Sequence, residues 1–135
     1  MPIDTTRNEC LSLATHTVHG RIVRDEMYGV LEDSFVQHST RLMLWDLSDA
    51  QATHIKPEML QRFVARSSKL GADRTEGKTA IVAPNDLTFG LARMSGTYTE
   101  MEEAPYEMRV FRKFDDALAW LLEDMNEGLG PYGSQ

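Results

Sequence analysis

The chain has little cysteine, little positive charge and no long apolar run, and each shortage excludes something. Cys10 is the single cysteine. No intrachain disulfide can form, and a reducing cytoplasm is the natural setting. Arg7 is the one basic residue near it, so nothing marks the thiol as reactive. Lys and Arg number 14 against 21 Asp and Glu, a net charge of −7. That balance, with no Lys/Arg run, excludes nucleic acid or an anionic membrane surface as the main partner. No apolar stretch approaches the ~20 residues of a membrane span, so no membrane insertion is expected. The opening Met1-Pro2-Ile3-Asp4 lacks a basic segment followed by an apolar core, so no secretory signal is expected. Repeats, low-complexity segments and linkers are absent too.

What is present suits one globular domain. At 135 residues the chain can bury roughly two-thirds of its unfolded surface without disulfides or metals. The apolar fraction is 41% and the charged fraction 26%, both ordinary for a globular protein. The domain is expected over 1–127, with 128–135 as a loose tail.

The organising stretch is Leu42-Met43-Leu44-Trp45-Asp46-Leu47. An apolar run on both faces reads as an inner strand of a largely parallel sheet. Before it, Ile3 to Thr6 suggests an edge strand, and residues 11–18 a second strand that Gly20 breaks. Asp25 to His38 reads as an amphipathic helix with Met27, Val30, Leu31, Ser34, Phe35 and His38 on one face. Gly29 inside it costs about 1 kcal/mol against Ala, which close packing on the sheet would explain. Pro57 fits the first position of the next helix and Gly71 its stop. Met59, Leu60, Phe63, Val64, Ser67 and Leu70 form its buried stripe. Residues 79–83 are another inner strand. Asn85 or Asp86 caps a helix from about 87 to 96, with Leu87, Leu91 and Met94 on its inner face, where Gly90 again suggests close approach. Residues 96–105 are polar and ambiguous. Residues 108–111 form the last strand, and Asp115 caps a final helix ended by Gly128. The order β(β)αβαβαβα implies an α/β fold with four or five mostly parallel strands, right-handed crossovers and four flanking helices.

Ligands of open α/β sheets bind outside the carboxyl ends of the strands. Four loops meet there, and their polar residues include His19, Arg21, Ser48, Asp49, Thr53, His54, Asn85, Asp86 and Lys113. No strong chemical signature joins them. His16 and His19 fall on opposite faces of a strand, so they are not a metal pair. His54 with Asp46 or Asp49 has the pattern of a base and its orienter. No Gly-x-Ser-x-Gly elbow or cysteine nucleophile accompanies it, so a solvated loop histidine is expected. Asp46 is expected to bond the amides of the following turn, and His38 to be a hydrogen-bonded core or boundary histidine. Gly77-Lys78 is a false phosphate loop, because Lys78 precedes a strand and the upstream glycine is missing. Met27, Met59, Met94 and Met125 sit at core spacing, so packing is favoured over a pliable pocket. Trp45 and Trp120 read as core, or as interface anchors if exposed. No cofactor or metal is implied.

Gly20–Met27, Leu44–Leu47, Lys78–Val82, Leu87–Met94, Val110–Arg112 and Ala117–Leu121 together resemble the small bacterial STAS-like (SpoIIAA-like) family. That family is related to anti-sigma-factor antagonists and, more distantly in fold, to lipid-transfer domains of the CRAL-TRIO type. The resemblance covers roughly residues 3 to 125 and implies a single STAS-like domain. In the antagonists, a serine of an Asp-Ser pair at the start of the helix after the central strand is phosphorylated. Counted from Asp46, that pair falls at about His54-Ile55. Thr53 and Ser48 are nearby hydroxyls that do not match the motif, so no phospho-switch of that kind is implied. Arg93 lies within the Leu87–Met94 motif and is expected to pair with Glu100 or Glu102, or with an anionic group of a partner.

Function is accordingly read as a non-enzymatic, cytoplasmic interaction or regulatory module, with another protein or a second copy of itself as partner (a homodimer). The alternative is a small apolar-ligand or lipid-binding protein, suggested by the methionine-rich helix faces. An enzyme using His54, Asp49 and Thr53 ranks third.

Overall fold

The computed structural model describes residues 3–123. The expected tail, Met125 and the Gly128 stop lie outside the described residues. The described chain runs β1 (Ile3–Asn8), β2 (Leu13–Arg21), α1 (Arg24–Glu32), a π-helical turn (Asp33–Gln37), β3 (Leu42–Gln51) and α2 (Pro57–Leu70), then β4 (Lys78–Val82), α3 (Asp86–Met101), β5 (Glu107–Phe111) and α4 (Phe114–Leu121). The five strands lie side by side in sequence order. β1 and β2 are antiparallel, and every later pair is parallel.

Residue alternation sends each strand to two cores. Val18, Met43, Trp45 and Ile81 face one side, where Leu31, Phe35 and Ala92 from the α1–α3 half of the chain cover them. Leu13, Leu42, Leu44, Ala80 and Val82 face the other, under Ala117, Trp120 and Leu121 of α4. Three βαβ crossovers stepping the same way across a sheet, with the same hand, put their helices on one face. β3 and β4 are thus covered on both sides, which is why they read as continuous apolar runs. Leu42, Leu44 and Leu121 are fully excluded from solvent, a gain of about 1.5–3 kcal/mol each.

Several boundaries differ from the sequence reading. β3 runs on to Gln51, so Ser48 and Asp49 lie on a strand and not in a loop. β2 passes through Gly20, whose φ of 73° follows a register shift between Thr17 and His19. There the glycine lets the strand bend without ending it. α1 turns into the π-helical segment at Asp33. His38 is therefore exposed and bonded to Asp33 at 3.3 Å, not at a core boundary. α3 continues through Gly96 to Met101. Ser95 and Thr99 can be buried there because their hydroxyls donate to the carbonyls of Ala92 and Ser95, at 2.9 and 2.8 Å. Asn85 is the α3 cap, its side chain accepting from the Thr88 amide. Asp115 is not the α4 cap; it lies in the first turn with Asp116, where negative charge suits the helix dipole.

Gly29 and Gly90 are exposed, with nothing near the position of an added Cβ, so close packing is not their reason. Gly77 is different. A Cβ there would meet the Arg74 carbonyl at 2.9 Å and the Arg41 carbonyl at 3.0 Å, both backbone. Gly77→Ala is expected to lower stability by about 1–3 kcal/mol. Gly90→Ala should raise it by about 1 kcal/mol. Urea unfolding of the two variants beside the parent checks both signs.

Candidate functional site

The carboxyl edge of the sheet gathers most of the residues singled out from sequence, but it ties them up one by one. His19 donates from Nε2 to Asp4 at 3.1 Å and has Asp49 at 3.7 Å from Nδ1. Arg21 is exposed at the end of β2. Asp46 accepts from the Ser48 amide at 3.0 Å and its hydroxyl at 2.6 Å, the amide bond expected of it, though within β3 and not in a turn. Thr53 is exposed in the turn before α2. His54 donates from Nε2 to the Ile22 carbonyl at 2.7 Å, so it is a tie between two loops and not a solvated histidine. Asp86 pairs with Arg112 at 2.7 Å, and Arg112 stacks 4.0 Å above the Phe89 ring. Lys113 is exposed at the entry to α4. Arg93 is exposed on α3, and among the described residues it has no ion pair with Glu100 or Glu102. The trio His54, Asp49 and Thr53 is not assembled: the histidine bonds a backbone carbonyl and Asp49 turns to His19. Among the described residues no three His, Cys, Asp or Glu side chains are grouped to hold a metal.

Three apolar side chains share this edge. Val23 precedes α1, Leu87 stands in the first turn of α3 and Phe114 begins α4, and they are 41%, 50% and 40% exposed, so Leu87 is not on the inner face that its spacing suggests. Each stands at the start of a helix that follows a parallel strand.

The sequence reading missed a second place. Between the sheet and α1–α3 lies a mainly apolar chamber of about 280 Å³. Met43, Trp45, Ile81 and Met108 form its floor, and Tyr28, Phe63 and Ala92 belong to its helical wall. Met27 and Met59, read as packing residues, also line it. The chamber is partly open to solvent, so an apolar occupant would displace water from its walls and bury their apolar surface.

One wall is charged. Arg74 is 4% exposed. Its Nε donates to the Thr40 carbonyl at 3.2 Å, and its Nη2 to the carbonyls of Arg41 and Lys78 at 3.0 and 3.2 Å. Nη1 donates to the Thr79 hydroxyl at 3.0 Å. The guanidinium carbon lies 4.5 Å from the Tyr106 ring centre and 5.2 Å from that of Phe35. Burial lowers its pKa to about 10, against the opposing pull of Tyr106 and Asp73, so it stays cationic at neutral pH. Burial pushes the Tyr106 phenol up, while Ser68 and Arg74 oppose it. Arg74, Thr79 and Tyr106 all line the chamber.

His16 is the buried group nearest this wall in kind. Its Nδ1 is bonded to the Thr5 hydroxyl at 2.8 Å and its Nε2 to that of Ser34 at 3.3 Å. Its ring lies 4.5 Å from that of Trp45. As expected, it faces away from His19.

No family model matches the chain, and no curated protein does. Among solved structures, it is similar to the crystal structure of an anti-sigma factor antagonist from Mycobacterium paratuberculosis. The TM-score is 0.50 at 15% identity, over 88% of this chain and 92% of that one. At that identity the likeness concerns the fold, and the fold is STAS-like: a mostly parallel five-stranded sheet with one antiparallel pair and four helices among the described residues.

His16 gives the molecule a pH dependence. Burial, then the charge of Arg7, lowers its pKa from 6.5 to about 4. The unfolded chain then holds more protons between those values, so stability is full above about pH 6.5 and falls as pH drops toward 4. The expected loss is about 3 kcal/mol. Asp33 does not share this window. Burial raises its carboxyl, but Arg7 and then His38 pull it below the ordinary carboxylate range. Denaturant unfolding from pH 7.5 to 4 should give the slope, and a folded His16→Gln variant should lack it.

Proposed function

We propose that this chain is a non-enzymatic regulatory module that acts by contact with another protein, through the carboxyl edge of its sheet. The observation that carries the reading is the trio Val23, Leu87 and Phe114, apolar side chains left in water on one edge. Apolar anchors set among polar and ion-paired residues are the ordinary make-up of a protein contact. The Arg112–Asp86 pair and Lys113 supply the polar part. The fold supports the same reading, since the similar structure is of a protein named for acting on an anti-sigma factor. The position that carries a phosphorylated serine in the antagonists falls at about His54-Ile55, and His54 is bonded to the backbone. The contact is therefore proposed to be independent of a phosphate at that place. His19, Asp46, His54 and Asp86 of the edge each hold a structural bond, which supports binding over catalysis.

The double variant Leu87→Asp, Phe114→Asp tests this. Both residues are exposed, so stability should change by no more than about 0.5 kcal/mol each. Cross-linking in the producing cell should join the parent to a partner through edge residues, and the variant should lose that product. An unchanged product, or one mapped to another face, counts against the edge.

The chamber favours a second reading, binding of a small apolar molecule. A cavity near 300 Å³ is at the lower end of ordinary ligand pockets. Native mass spectrometry of protein purified gently from its own host should then find an added mass of roughly one to two hundred daltons, lost on denaturation. A bare chain mass from every preparation would argue against it.

A further inference from the structure

We propose that the chamber takes a compact hydrophobic carboxylate, its anionic end on the Nη1 side of Arg74 and its apolar body along the methionine and aromatic walls. This rests on the small-molecule reading above and names the ligand class.

The size comes from the cavity. A void of about 150 Å³ accepts benzene, so 280 Å³ suits roughly ten to twelve heavy atoms. The apolar character comes from Met43, Trp45, Phe63, Ile81 and Met108. The charge comes from Arg74. Among the described residues no carboxylate lies within ion-pair distance of this buried cation, whose partners are three backbone carbonyls and one hydroxyl. A guanidinium has five N–H groups. Four are engaged, which leaves one on Nη1. Nη1 is also the nitrogen bonded to Thr79, and both residues line the chamber.

The geometry selects among anions. Tyr106 and Phe35 lie against the guanidinium, and Nε and Nη2 are already used. One N–H remains where a bidentate phosphate would need two parallel donors. A doubly charged group would also be costly to desolvate among apolar side chains. A single carboxylate oxygen fits both limits. A cationic ligand would meet Arg74 as a like charge.

The test uses the full chain, unfolded and refolded to strip any resident molecule, and four probes. They are 3-phenylpropanoate, octanoate, 3-phenylpropanamide and 3-phenylpropylamine, each of about ten or eleven heavy atoms. Calorimetry and amide NMR titration should give the phenyl acid an affinity about tenfold or more above its amide. The amine should be weakest, and the chemical shifts should move at Thr79, Ala92 and Tyr106. Octanoate separates an alkyl from an aryl body, and binding by either acid supports the class. Ala92→Phe, which fills the chamber from α3, should abolish binding without loss of fold. Arg74→Lys should reduce the gap between acid and amide. Because Arg74 holds backbone carbonyls and its variants can fail to fold, the probe series and Ala92→Phe decide the matter without it. Equal affinity for acid and amide, blocked by Ala92→Phe, would overturn the carboxylate and leave the small-molecule reading standing. Binding that survives Ala92→Phe would move the site elsewhere and overturn the proposal. No binding of any probe up to several millimolar would count against both readings.

Discussion

The guanidinium of Arg74 sits out of water and is bonded to the residues just before β3 and to the first two residues of β4. Carbonyls of Thr40, Arg41 and Lys78 and the hydroxyl of Thr79 surround it in plane, and Phe35 and Tyr106 lie against it. A buried charge is costly unless its hydrogen bonds are met. Here partial charges of the backbone and two ring faces do that work in place of a carboxylate. The amino ends of β3 and β4 are thereby held to the α2–β4 connection, and so is the position of the chamber wall. Gly71 and Gly77 belong to the same arrangement. A side chain at Gly71 would touch the Tyr106 ring at 3.0 Å, and one at Gly77 would touch the carbonyls of Arg74 and Arg41.

Much of this was readable in the sequence, and what was not has a common cause. The Leu42–Leu47 strand, the helix from Pro57 to Leu70 and the cap at Asn85 rest on local signals: an apolar run, a proline, an Asx side chain. Neighbouring residues generate them, so they survive without tertiary knowledge. Arg74 gave no signal because its partners are backbone carbonyls as far as 34 residues away, which any sequence supplies. His16 was readable as facing away from His19, but its bonds to Thr5 and Ser34 depend on β1 and the π-helical turn meeting over it. Gly29 and Gly90 misled because a helical glycine suggests packing, yet both face solvent. The strand order placed the polar positions at this edge, but Val23, Leu87 and Phe114 were not read there, since an apolar residue at a helix start suggests packing and not exposure. The pairings of the polar residues were not legible, since Asp86 with Arg112 and His54 with Ile22 span 26 and 32 residues.

The edge and the chamber use different parts of one architecture. Strand carboxyl ends and helix starts form the edge, where local turns dictate exposure. The chamber lies where three helices bridge a twisted sheet, and its volume is what their side chains fail to fill. Methionine suits such a wall, since an unbranched thioether adapts to what lies beside it. A molecule in the chamber would bear on α1 through Met27, and α1 begins one residue beyond the exposed Val23. Interior and surface are thus joined by a single turn of helix.

The strands stand in the sheet in the order in which they are synthesised. Each βα unit leaving the ribosome finds its neighbour already in place, and few pairings must wait for a distant segment. The exception is the second face. Leu42, Leu44, Ala80 and Val82 are laid down first, and Ala117, Trp120 and Leu121, which cover them, follow only after α3 and β5. Until that final helix is made, the nascent chain carries a bare apolar surface of the kind chaperones recognise. A chain cut before residue 114 would keep that apolar face bare, so α4 acts as the cover that closes the second core.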